Sequence, residues 1–200
     1  MTIRWRVVGI GLLSVLCLSL TACAGGQPTG LLMPVETPQK VRLMSGDSET
    51  LNYTPWYIHS FALFGPPGSG IGGGGPNVMP ARTDGRPSEG GGKCCTSLPV
   101  EWQPDLKLTV RWLVDKKQDG KTPGYWYKAE NVRIAQYNGA NAGGIWSIFL
   151  PGDRVRIMVT DGNRDGGNNP NNRPADNDPY IAQGVIDEEW NQRYRKGGMQ

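Results

Sequence analysis

Apolar residues alternate with polar ones along much of the chain, and that period of two predicts strands. Leu106, Leu108, Val110, Trp112 and Val114 fall on one face of a strand, with Lys107, Thr109, Arg111 and Asp115 on the other. Tyr57–Phe64 is apolar on both faces, as expected of a central strand. Val132 and Ile134 mark another. Residues 145–150 and 155–160 flank Pro151, Gly152, Asp153 and Arg154, whose turn chemistry predicts a hairpin. In its second arm Val155, Ile157 and Val159 point one way, and Arg154, Arg156 and Thr160 the other. A single helix is predicted near the end. Ile186, Trp190 and Tyr194 share a face, Asp187 and Glu188 come early, Arg195 and Lys196 late, and Gly197 stops it. The expected class is mainly β: an antiparallel sandwich or curled sheet with long Gly-rich loops and a short C-terminal helix. The chain shows no internal repeat.

The N-terminus breaks this pattern. Arg4 and Arg6 precede an apolar run over residues 7–20, too short to span a bilayer, which takes roughly 20 apolar residues. A charged start, a short apolar core and a small-residue exit read as a signal peptide. The exit, Leu20-Thr21-Ala22-Cys23, resembles the lipobox of bacterial lipoprotein precursors. That resemblance implies cleavage before Cys23, lipid on its sulfur, and Ala24 as a residue that sorts the protein to the outer membrane, facing the periplasm. The expected organisation is a signal peptide over residues 1–22, a lipidated flexible tether over 23–50, and one β-rich domain over 51–200.

Composition refines this only slightly. There are 29 glycines and 16 prolines in 200 residues, short of the proportion that signals disorder. Seven tryptophans and seven tyrosines supply material for a core. The glycines crowd residues 65–92 and 162–167, which are expected to be long loops. The formal charge of +3 falls towards neutrality once Arg4 and Arg6 leave, and no basic stripe suggests a nucleic-acid partner.

Candidate chemistry is sparse. With Cys17 removed and Cys23 lipidated, only Cys94 and Cys95 remain, in an oxidising compartment. Adjacent Cα atoms lie about 3.8 Å apart, whereas ordinary disulfides want roughly 4.4 to 6.8 Å. The pair is therefore a vicinal disulfide in a contorted, glycine-flanked segment, two buried thiols, or a metal or redox site. Asp161, Asn163, Asp165 and Gly166 match the opening of a calcium loop, but its twelfth position is Asn172 instead of Glu, so Asp176 or Asp178 would have to substitute. Otherwise no cofactor is expected. His59, the single histidine, lies in an apolar strand and reads as structural. Residues 68–73 match Gly-x-Gly-x-x-Gly in letters only, without a following helix. Gly92-Lys93 lacks the remainder of a phosphate loop.

The middle of the chain carries a more specific pattern: Gly91, Gly92, Cys94, Cys95, Leu98, Pro99, Trp102, Val110 and Trp112. It resembles a family of uncharacterised bacterial lipoproteins, a domain of unknown function, over roughly residues 50–160. Members of that family resemble immunity proteins encoded beside type VI secretion phospholipase effectors. The resemblance implies a non-catalytic lipoprotein whose partner is such a phospholipase, with residues 65–92 and exposed aromatics such as Trp126 taking part. The alternative expectation is an envelope structural or ligand-binding lipoprotein. An enzyme is a third, for which no acid/base pair or nucleophile stands out.

Overall fold

The computed structural model describes residues 41–75, 77–162 and 167–197. They form one ten-stranded sheet that curls into a nearly closed barrel, with one short helix at the end. The strands are β1 (Leu43–Asn52), β2 (Tyr57–Phe64), β3 (Gly72–Gly75), β4 (Ser88–Pro99), β5 (Leu108–Asp115), β6 (Tyr125–Val132), β7 (Ile145–Leu150), β8 (Arg154–Val159), β9 (Ala182–Gln183) and β10 (Val185–Ile186); α1 spans Glu188–Arg195. Their order across the sheet is β10-β6-β5-β2-β3-β4-β1-β7-β8-β9. Every strand pairing is antiparallel except β1 with β7. The mainly β class and the hairpin of β7 and β8 follow the sequence pattern. Of the two expected layouts, the curled sheet is the one observed.

Closure is made by the chain itself. β9 pairs with β8 at one edge, and β10 pairs with β6 at the other. Only Gly184 separates β9 from β10, so residues 182–186 bridge the two edges. The Gly184 N–H donates to the Asp153 carbonyl. Its Cα presses on the Trp112 indole so closely that an added Cβ would lie 2.3 Å from the ring. A bridge between Ile134 and Ile157 joins the same two sides.

Alternation builds the interior. Phe61 on β2 lies opposite Trp112 on β5, and Leu63 opposite Val110. Trp112 stacks on Tyr127 and meets Phe149 from β7. Together with Leu98, Ile145, Val155, Ile157 and Val159 these residues form the main core. A second apolar cluster, Leu51, Ile148, Leu150 and Met158, lies on the outer face of β1, β7 and β8, with Ile181 packed against it. The segment that leads to Ile181 is pinned by two ion pairs, Arg154–Asp176 and Arg156–Asp178.

The outer face of β5 and β6 is covered by α1. Trp190 meets Trp126 edge-on, and the Arg111 guanidinium lies over both Phe64 and Trp190 while bonding Asp187 at 2.7 Å. Asp187 also caps the helix by accepting from the Trp190 N–H. The Asn191 amide accepts from the Trp126 N–H and donates to its carbonyl, which satisfies a stretch of β6 as a strand would.

Several expectations change here. Residues 43–50 are strand, so the sheet begins before the expected tether boundary. Residues 65–92 are not one loop: they contain β3 and the start of β4. β3 is all glycine because neighbouring side chains lie where its own would stand. A Cβ on Gly73 would meet Thr96, and one on Gly75 would meet the Phe61 ring. Trp126, expected at an exposed interface, is buried beneath α1. His59 is exposed, with its ring edge-on to Tyr57. Ile186 belongs to β10 and is exposed, so the helix packs through Trp190 without it.

Near the β1 entry the end of β4 is tied to the segment after β6. The Trp102 indole N–H donates to the Ile134 carbonyl, and the buried Tyr137 hydroxyl donates to the Pro99 carbonyl. Burial pushes the Tyr137 phenol from its ordinary value of 10.0 up to about 12. An acid with its pKa raised on folding contributes stability that is whole below the unfolded value and lost as pH climbs through the folded one. Tyr137 should thus cause a fall in stability between pH 10 and 12. Tyr137→Phe should remove that part of the fall and cost about 1 kcal/mol at neutral pH. Urea unfolding across that pH range checks both; parallel curves for the two proteins would refute the assignment.

Candidate functional site

The site is built on a defect in the pairing of β4 with β1. As β1 passes from Gly46 to Ser48, the partner on β4 moves from Thr96 to Lys93; from Ser48 to Thr50 it moves from Lys93 to Gly90. Each step places an extra residue on β4, so two bulges follow one another. One contains Cys94 and Cys95, and the other Gly91 and Gly92. Gly92 holds φ +80°, a conformation that suits glycine. Cys94 and Cys95 are disulfide-bonded to each other across a cis peptide, and both are exposed.

Neighbouring strands complete the surface. The Glu49 carboxylate from β1 lies over Gly91, where a Cβ would collide with its Oε2. Glu49 also packs beside Gly144, as does the Trp146 indole of β7. Farther along β4, Met79, Arg82, Pro87, Ser88 and Glu89 line an open groove of about 350 Å³. Met79 is 64% exposed there. The groove is held from beneath by buried Asn52. Its Nδ2 donates to the carbonyls of Trp56 and Met79, while its Oδ1 accepts from the N–H and hydroxyl of Thr54. Burial raises the Tyr53 phenol above its ordinary value, opposed by Arg173 and reinforced by Glu89. The surface is thus a bulged strand carrying a cystine, flanked by two carboxylates, an indole and an exposed thioether. That set can bind through shape, charge and polarisable contact.

The other sequence candidates do not join it. Cys23 lies outside the described residues, and so do Asn163 and Asp165 of the calcium loop. Asp161 is described. Asp176 and Asp178, the carboxylates that loop would need to be complete, pair with Arg154 and Arg156. Glu49, Gly144, Trp146 and the groove carried no local signal in the sequence. They come from strands remote along the chain and meet only through the β4–β1–β7 pairing.

Fold and site together define a small, nearly closed β domain with an exposed bulged face that carries a vicinal cystine. The chain belongs to the family described as protein of unknown function DUF3304, whose model matches residues 51–157. No curated protein and no solved structure matches it.

Proposed function

We propose that the protein is a lipid-anchored, non-catalytic binding protein of the periplasm that neutralises a phospholipase effector delivered by type VI secretion. One observation carries the reading. The motif residues that suggest this role divide into two groups in space. Leu98, Pro99, Val110 and Trp112 are buried, Trp102 is half-buried with its indole bonded to the Ile134 carbonyl, and these five account for the fold. Gly91, Gly92, Cys94 and Cys95 are exposed on the bulges, where no core requires them. Unusual residues on a surface speak for recognition, whereas unusual residues in a core speak for packing. The lipobox-like sequence ending at Cys23 supports the same reading, because a guard against an incoming lipase has to be held at the membrane.

The test is co-expression with the adjacent lipase gene, the lipase being sent to the periplasm. Cells carrying this protein should survive, and a lysine at Gly91, which would displace Glu49 from the bulge, should abolish protection while the protein still accumulates. Equal killing with and without the protein would end the proposal. Retention of envelope glycan in place of a lipase would favour a ligand-binding lipoprotein.

A further inference from the structure

Four hydroxyls line the inner wall of the barrel: Ser48 and Thr50 on β1, Thr96 on β4 and Ser147 on β7. Each residue is fully buried. Strand register sets their direction and their proximity. Ser147 lies directly opposite Thr50, and two residues to either side of it are Ile145 and Phe149, both in the main core. Ser48 pairs with that same Ile145. Thr96 lies opposite Gly46, one interior position before Ser48, and Leu98 beyond it is also core. All four therefore share one patch of wall across β4, β1 and β7.

None of the four hydroxyls has a hydrogen-bond partner among the described residues. The next polar group inward on the same strand behaves differently: Asn52 uses both its carbonyl and its amide. A buried hydroxyl without a partner is costly, and four in one patch call for an occupant that both donates and accepts. Water does so, making about three bonds at each buried position, so roughly two molecules would serve four hydroxyls. The two bulges of β4 interrupt the ladder alongside Ser48, at the margin of this patch. We infer that Ser48, Thr50, Thr96 and Ser147 form an internal hydration site beneath the bulged segment. The inference stands whether or not the partner is a lipase.

A high-resolution crystal structure of the wild-type domain decides it. The expected result is ordered water within hydrogen-bond distance of at least Thr50 and Ser147. In solution the amides of these residues should show magnetisation transfer from long-lived water. Thr50→Val, which exchanges the hydroxyl for a methyl of similar shape, should delete the water nearest to it. Hydroxyls found bonded only to protein atoms, or a dry wall with no transfer from water, would overturn the inference, and the wild-type measurements suffice should the variant fail to fold.

Discussion

Asp178→Ala should destabilise the domain by about 3–5 kcal/mol, the usual cost of leaving a buried charge without its partner. The charge at risk is Arg156. Its side chain points outward from β8, yet it is only 3% exposed, because the segment before β9 folds over it. Arg156 Nε lies 2.9 Å from the Asp178 carboxylate, close enough for charge pairing but not aligned as a hydrogen bond. Arg156 also donates from Nη2 to the Gly167 carbonyl. Removing the carboxylate therefore strands a cation over Ile148, its neighbour across the strand pair. The sign of the effect in the double variant is equally informative. Arg156→Met with Asp178→Ala removes both charges and should recover most of the loss. Urea denaturation of the three variants measures this; a single-variant loss below about 0.5 kcal/mol, the range of ordinary surface changes, would show that the pair does not hold the segment.

Trp112→Ala should be comparably severe, at roughly 3–5 kcal/mol, from lost burial and the cavity left behind. The indole is 2% exposed and stands between Tyr127, Phe149 and the backbone of Gly184. Its loss should be felt beyond the core, because Gly184 is the point at which the chain joins β8 to β6. Hydrogen exchange at the Gly184 amide, now bonded to the Asp153 carbonyl, should rise more than exchange in β2. A uniform rise across the sheet would mean that Trp112 supports the core without supporting closure in particular.

Much of this fold is legible in the sequence wherever the buried face is apolar. β5 and β8 follow from alternation, β2 from a run that is apolar on both faces, and the hairpin of β7 and β8 from the turn chemistry at Pro151. β1 is hidden because its interior positions are Gly46, Ser48, Thr50 and Asn52, a polar row that denies the reader a hydrophobic period. β3 is hidden because glycine reads as loop, whereas here it makes room for Thr96 and Phe61. Trp126 reads as exposed until Asn191 and Trp190 are seen to cover it, and that contact spans 65 residues. The cysteine pair is visible as a motif, but its setting is not. Glu49 reaches the neighbouring bulge at Gly91 and meets Trp146 beside Gly144 through strand pairings, one of them parallel, and no spacing rule encodes that neighbourhood.

The five residues that bridge β8 and β6 have a consequence for life in company. An open sheet ends in rows of free N–H and C=O groups, which invite the edge of another copy to pair with them. Here part of each edge, Arg154 and Val155 on β8 and Tyr127 and Lys128 on β6, is occupied by two residues of the same short segment, so less backbone is left on offer. Proteins held to a membrane by a lipid, as proposed for this one, meet each other in two dimensions and at high local concentration. A domain that covers part of its own margins can be crowded there and still present its bulged face to a different partner.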